Sequence, residues 1–259
     1  IASYAKQELP NYQVFDERRY FTPGHEACVF EVDGFKLGLL ICEDAWFEAP
    51  ALKAREAGAE ALLVLNASPF HVGKGLEREI QMSERVKSCG LPLVYAHLVG
   101  GQDEVIFEGR SFAINQNAEV VARAPAFKED LPFLQMTRSS GSNVIELKGQ
   151  TVSPEGTWEE DLWHALVLGI RDYLGKNGFP GAILGLSGGI DSALVLALAV
   201  DALGADKIHA VMMPSPYTAD ISWIDSREMV KRMGVRYDEI SIAPLFEGFK
   251  TALADQFKG

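Results

Sequence analysis

Two short strings in this sequence carry side chains that can do chemistry. The first is Cys42-Glu-Asp-Ala-Trp46, at the end of an apolar run over residues 35–42. A thiol at the end of a buried strand, where a turn begins, can face a cleft. The acidic pair directly after it breaks the apolar pattern, which suggests a site rather than a core position. To act as a nucleophile the thiol needs a base to take its proton and donors to hold an oxyanion. Cys28 and Cys89 have no such surroundings and read as small buried apolar residues. No histidine stands out as the partner: His25, His71 and His97 are scattered and suit hydrogen-bonded structural roles equally well. Lys6 is more suggestive, because it precedes a loop-like stretch over residues 15–24 that is rich in aromatic and charged side chains. Taken alone it is a solvated surface lysine.

The second string is Leu186-Ser-Gly-Gly-Ile-Asp-Ser192, between an apolar run and a helical stretch. Adjacent glycines let the backbone turn tightly and approach a ligand closely. The free amides at the following helix start, with the hydroxyls of Ser187 and Ser192, make a cradle for an anion. Asp191 beside bound phosphate makes sense as a Mg²⁺ ligand. The bland reading is a strand-to-helix turn with an Asp-Ser cap. The string lacks the lysine of a P-loop and is not the GxGxxG fingerprint.

The elements that would hold these strings follow from the pattern around them. Residues 28–33 and 35–42 read as two strands joined at Asp33-Gly34, a hairpin signal. Residues 50–57 are Ala-rich and helical, closed near Gly58. The run ALLVLN over residues 61–66 suits a strand buried on both faces. Residues 76–89 read as a helix and 92–98 as another buried strand. Short antiparallel strands are expected at 104–107, 112–115 and 119–123. Residues 133–156 read as a connection with some structure of its own, turn-rich from 141 onward. Thr157-Trp-Glu-Glu160 has capping-box spacing. The helix after it sets Leu162, Leu166, Ile170 and Leu174 along one stripe. From there strands at 182–186, 208–213 and 236–242 alternate with helices at 191–203 and 223–233, which argues a parallel sheet.

Composition narrows the function classes. The 259 residues hold 24 Lys plus Arg against 36 Asp plus Glu, a formal charge of −12. That balance argues against a nucleic-acid or anionic-membrane surface. It leaves room for a local phosphate site built from backbone amides. The longest purely apolar run, residues 193–200, is too short to span a bilayer. Three widely spaced cysteines fit free thiols in a reducing compartment, hence the cytoplasm.

Ser187-Gly-Gly-Ile-Asp-Ser192 resembles the pyrophosphate loop of the N-type ATP pyrophosphatases. Val211-Met-Met-Pro-Ser-Pro-Tyr-Thr218 resembles a nucleotide-contacting strand end of NAD synthetases. Tyr4-Ala-Lys-Gln-Glu-Leu-Pro-Asn-Tyr12 and Leu40-Ile-Cys-Glu-Asp-Ala-Trp46 resemble the nitrilase superfamily, which uses a Glu–Lys–Cys triad. They are closer still to the glutaminase domains of the glutamine-dependent NAD synthetase family. The resemblance covers essentially the whole chain, with two independent motifs in the expected order.

What the resemblance implies is specific. The fold class is α/β: a nitrilase-like α-β-β-α sandwich, then a Rossmann-like parallel-sheet domain of the adenine nucleotide alpha hydrolase-like kind. The expected division is glutaminase over residues 1–132, connection over 133–156, and the first half of the synthetase domain over 157–259. Cys42 takes the thiol role, Lys6 the triad lysine, and Glu17 an additional glutamate near the triad. Tyr12, Glu43 and Ser68 would bind glutamine together with Lys74, where some relatives carry Arg. Gly185, Leu186, Ser187, Gly188, Gly189, Ile190, Asp191, Ser192 and Met213 would bind ATP, and Asp191 would bind Mg²⁺. The triad glutamate is expected upstream of the lysine segment, before Ile1, and the rest of the synthetase after Gly259, so the chain reads as an internal fragment. The implied reaction is ATP-dependent amidation of deamido-NAD with ammonia from glutamine, in a cytoplasmic homo-oligomer. Competing readings are a glutamine-dependent ligase with another acceptor, and a fragment that binds nucleotide without turnover. A nitrilase-like amidase with an unrelated second domain is disfavoured by the Ser187 loop.

Overall fold

The structure, a computed structural model, describes residues 2–138 and 144–257. Part of the expected connection, residues 139–143, lies outside the described residues. Two compact units emerge: Ile1–Gly100 with Val105–Ala165, and Gly101–Glu104 with Leu166–Gly259.

The first unit is built on a six-stranded sheet. Strands β1 (Cys28–Val32) and β2 (Phe35–Ile41) pair antiparallel. Asp33 and Gly34 between them both have positive φ, 50° and 82°, the primed geometry that suits the twist of a two-residue hairpin. Helix α1 (Glu48–Glu56) then leads to β3 (Ala61–Asn66), and α2 (Lys74–Cys89) leads to β4 (Leu93–His97). β2, β3 and β4 run parallel, as helix crossovers require. β5 (Val99–Gln102) and β6 (Val105–Glu108) form a short ribbon. β7 (Phe112–Ile114) and β8 (Val120–Arg123) complete the sheet in the order β1-β2-β3-β4-β7-β8. Strand β5 had no expectation attached to it, because Val99-Gly-Gly-Gln102 carries no strand pattern.

The core lies on one face of this sheet. Leu40, Leu62, Val64, Tyr95 and Phe112 pack there with Ala51 and Ala54 of α1 and Met82, Val86 and Cys89 of α2. The opposite face behaves differently from the expectation for ALLVLN. Leu65 is 51% exposed and lines an open cavity with Ala96 and Leu98, so β3 is covered fully on one face only. Further along that sheet a hairpin of β9 (Leu134–Arg138) and β10 (Ile145–Gly149) sets Leu134, Met136 and Leu147 against Ala113 and Ala122. The hairpin falls inside the stretch read as a connection. Its alternation of apolar and polar residues is the strand period.

Helix α3 (Trp158–Lys176) opens with a reciprocal capping box. Thr157 N donates to Glu160 Oε2 at 2.9 Å and Glu160 N to Thr157 Oγ1 at 3.2 Å. The expected stripe is not its buried face: Leu162 and Leu166 are 37% and 40% exposed, and Ala165 and Leu168 are buried. The second unit then alternates β11 (Ala182–Gly185), α4 (Ile190–Leu203), β12 (Ile208–Met212), α5 (Asp220–Met233), β13 (Arg236–Glu239) and α6 (Ala243–Leu253). The three strands are parallel in the order β11-β12-β13, over a core of Leu186, Leu196, Ile208, Ala210 and Val230. Among the described residues no helix is long and apolar enough to cross a membrane.

Candidate active site

Cys42 begins a short 3-10 helix, Cys42–Trp46, directly at the end of β2. Its φ is +49°, a left-handed conformation that a non-glycine residue holds only under constraint from its surroundings. The constraint is Asp44, which is fully buried. Its carboxylate accepts from Ile41 N (3.0 Å), Gln7 N (2.9 Å), Glu8 N (2.8 Å) and the Tyr4 hydroxyl (2.8 Å). One side chain thus closes the nucleophile turn and fastens the Lys6 segment to it. A second buried side chain, Arg85 of α2, donates to Ala45 O (3.1 Å) and Trp46 O (2.9 Å) at the other end of the turn.

The thiol itself is buried, and burial pushes its pKa up. Lys6 and the nearby Ala67 backbone pull it down, while Glu43 and Glu17 push it up. In these surroundings the thiol is a neutral S–H at neutral pH and reacts only when a base removes the proton. Lys6 donates to both oxygens of Glu17, at 2.8 and 2.7 Å, and the pair is largely shielded from water.

Two cavities meet at Cys42. The larger, about 820 Å³, is lined by Lys6, Glu17, Asn66, Ala67 and His97 among apolar side chains that include Leu65 and Leu98. The smaller, about 270 Å³, is lined by Tyr12, Glu43, Ser68, Lys74, Trp46 and Glu77. So the fold brings the six other residues singled out in this half of the sequence to the two cavities that Cys42 lines, Lys6 and Glu17 in the larger and Tyr12, Glu43, Ser68 and Lys74 in the smaller. Tyr12 donates to Glu43 Oε1 at 2.9 Å, and partial desolvation of the phenol first, then the Glu43 carboxylate, push its pKa up to about 12. The Lys74 ammonium lies 4.3 Å from the centre of the Trp46 ring and pairs with Glu77 at 3.0 Å. The pocket therefore has an anionic wall at Glu43 and a cationic wall at Lys74.

Sequence reasoning missed the residues behind this lining. Arg78 and Arg85 sit on the buried stripe of α2, where apolar residues are expected, and that misfit was their only signal. His97 is buried as well. Burial first and the Arg78 charge second push its pKa from 6.5 down to about 4. Between those values the unfolded chain binds a proton that the folded chain refuses. Stability is then full above about pH 6.5 and falls as pH drops towards 4. A shift of this size corresponds to about 3 kcal/mol. Urea unfolding of the chain across that window should show the decline, and His97→Gln should remove a matching part of it.

In the second unit the Gly-rich loop joins β11 to α4. Ser187 Oγ lies 3.0 Å from Ser192 Oγ, and Ser187 N and Gly189 N point at these two hydroxyls at 3.2 and 3.3 Å. Gly188 has φ +80°, and a Cβ there would stand 2.5 Å from the Ser222 Cα. No other residue fits that position. Asp191 is in the first turn of α4 and is exposed. Met213 follows β12, with its methyl beside Gly185. Gly185, Leu186, Ser187, Gly188, Gly189, Ile190, Asp191, Ser192 and Met213 thus gather at the C-terminal ends of two adjacent parallel strands, the usual ligand edge of such sheets. Among the described residues no cluster of three or more acidic, His or Cys side chains stands ready for a metal. A single exposed carboxylate beside a loop of amides and hydroxyls is compatible with Mg²⁺, which keeps several waters and takes one or two carboxylates.

A cysteine held at positive φ beside a part-buried lysine–glutamate pair, on an α/β sheet, is a setting in which a thiol can serve as a nucleophile. The chain belongs to the carbon-nitrogen hydrolase family, whose profile matches residues 1–146. The profile of NAD synthase matches residues 162–258. The chain is 45% identical over 255 residues to a glutamine-dependent NAD(+) synthetase of Acinetobacter baylyi, covering 98% of this chain and 46% of the relative. It is 44% identical over 259 residues to the enzyme of that name from Xylella fastidiosa strain Temecula1, covering 99% and 47%. Among solved structures, the glutamine-dependent NAD+ synthetase of Acinetobacter baumannii in complex with ADP superposes with a TM-score of 0.92 at 44% identity, over 99% of this chain and 48% of that one. The chain spans about half the length of the curated relatives it matches.

Proposed function

We propose that the whole protein makes NAD from deamido-NAD, ATP and glutamine. Cys42 acts in a glutaminase site, and the Ser187 loop acts in an adenylating site. The observation that carries this reading is the smaller cavity. A thiol, Glu43 with Tyr12, and Lys74 with Ser68 line one pocket, which matches an amino acid with a free ammonium, a free carboxylate and a side-chain amide held at the sulfur.

In the glutaminase step a base takes the Cys42 proton. Glu17 and Glu43 are already engaged by Lys6 and Tyr12, which supports assigning the base to the family's glutamate, outside this chain. The thiolate attacks the glutamine amide carbon. Lys6 and backbone N–H groups stabilise the oxyanion, a contribution often worth a few kcal/mol. Ammonia leaves, and water hydrolyses the γ-glutamyl thioester to glutamate. In the synthetase step the ATP phosphates lie on Ser187, Gly188, Gly189 and Ser192. A nicotinate carboxylate oxygen attacks the α-phosphorus and releases pyrophosphate, and ammonia then displaces AMP from the acyl carbon. Mg²⁺ held through Asp191 would supply charge neutralisation at the phosphates. The complex of the Acinetobacter baumannii enzyme with ADP supports an adenine nucleotide as a ligand of the whole protein. A biosynthetic role of this kind fits the cytoplasm, as do three free cysteines.

The test is to supply the whole protein with ATP, deamido-NAD and glutamine labelled with ¹⁵N at the amide. The label should appear in the nicotinamide of NAD, with one AMP and one pyrophosphate per turnover. Transfer to a different acceptor would favour another glutamine-dependent ligase. A narrower prediction concerns Lys74. Loss of a charge-assisted contact to the glutamine carboxylate costs about 1.5–3 kcal/mol. Lys74→Met should therefore raise KM for glutamine by about 10- to 100-fold while ammonia-dependent synthesis stays unchanged.

A further inference from the structure

Ser68 lines the smaller cavity together with Cys42, and side chains rather than a strand ladder hold its peptide. Its N–H donates to His97 Nε2 at 3.2 Å. Its carbonyl accepts from Arg78 Nη2 at 3.3 Å, and the same nitrogen reaches Ser68 Oγ and Pro69 O at 3.4 Å. His97 Nδ1 lies 2.7 Å from Gly109 O and so carries the ring proton; Nε2 then faces the Ser68 peptide as an acceptor, 3.2 Å from its nitrogen and 3.0 Å from its oxygen. The His97 backbone N–H is fixed in turn by Ser111 Oγ at 2.9 Å. Arg78 Nη1 pairs with Glu108, and both side chains are 2% exposed. The residue just before Ser68 is Ala67, which lines the larger cavity together with Cys42.

A buried ion pair is a weak source of stability, since an apolar pair of similar volume is often as good or better. Arg78 and Glu108 therefore need another explanation, and the second guanidinium nitrogen gives one. It holds the carbonyl side of the peptide whose N–H side is held by His97. We propose that His97 and Arg78 are positioning residues for the thiol chemistry. They clamp the Ser68 peptide so that Ala67 stays beside the thiol in the larger cavity and Ser68 stays on the wall of the smaller one. The part that concerns glutamine rests on the glutaminase reading above; the part that concerns the thiol does not.

The deciding variants separate hydrogen bonding from packing. His97→Gln keeps a carbonyl that can accept Ser68 N–H but fills the space poorly. His97→Phe keeps a flat ring and can accept nothing. In this chain, alkylation of Cys42 by iodoacetamide, followed on its own peptide by mass spectrometry, should slow about 10-fold in His97→Phe and change little in His97→Gln. In the whole protein kcat for glutamine hydrolysis should fall about 10- to 100-fold in His97→Phe, the cost of one or two misplaced hydrogen bonds. Ammonia-dependent synthesis should be untouched. Arg78→Lys, which keeps the charge opposite Glu108 but loses the fork, should follow His97→Phe in both assays. Equal losses in His97→Gln and His97→Phe would mean packing alone and would overturn the proposal. So would wild-type alkylation in His97→Phe. If the whole protein releases no glutamate from glutamine, the glutaminase reading fails, and the alkylation arm still decides the clamp.

Discussion

Cys42→Ala in the whole protein is expected to abolish NAD synthesis from glutamine, by about 10⁴-fold or more, and to leave synthesis from added ammonia near its original rate. Removing a nucleophile removes the covalent route entirely, and losses of that order are typical. The fold should tolerate the change. Cys42 is buried, but it owes its φ of +49° to the Asp44 hydrogen bonds around it, which alanine does not disturb. Parallel assays with glutamine and with ammonium chloride check this. Loss of both activities would argue against two separable sites.

The mirror-image result is expected for Gly188→Ala. A Cβ at that position would lie 2.5 Å from Ser222 Cα, against the backbone of α5, and φ is +80°. Both problems force the loop to move. The phosphate cradle depends on the loop's shape, because its donors are backbone amides and two hydroxyls 3.0 Å apart. ATP-dependent synthesis should therefore fall at least about 100-fold with either nitrogen source, while glutamate release from glutamine persists. Pyrophosphate formation and glutamate formation, measured separately, distinguish the outcomes. Retained pyrophosphate formation would remove the loop from the nucleotide site.

The two variants probe the parts that were most legible in the sequence, for a physical reason. A nucleophile turn and a phosphate loop are contiguous strings, so residue type and spacing carry the chemistry directly. The parallel strands of the second unit were legible for a similar reason, through alternation of apolar runs and helical stretches. The clamp on Ser68 was not. Arg78, His97 and Glu108 come from three elements and meet only once the sheet and α2 are packed; a charge on the apolar stripe of α2 and a histidine suited to a structural role were the only local marks, and neither pointed to the other. Leu65 failed differently. A continuous apolar run looks the same whether both faces are covered or one lines a cavity. The stripe on α3 failed because Ala165 and Leu168, not the longer leucines at 162 and 166, take the buried positions.

Asp44 has a consequence for motion. Residues 2–16 contain no helix or strand, yet Lys6 must be held beside a sulfur more than thirty residues away. The amides of Gln7, Glu8 and Ile41 all end on one carboxylate, so none can open without releasing the others. The lysine arm and the cysteine turn should therefore come apart in a single local unfolding event, with these three amides exchanging their hydrogens at a common rate. An irregular segment would then carry the rigidity of a regular one, concentrated in a single acidic group.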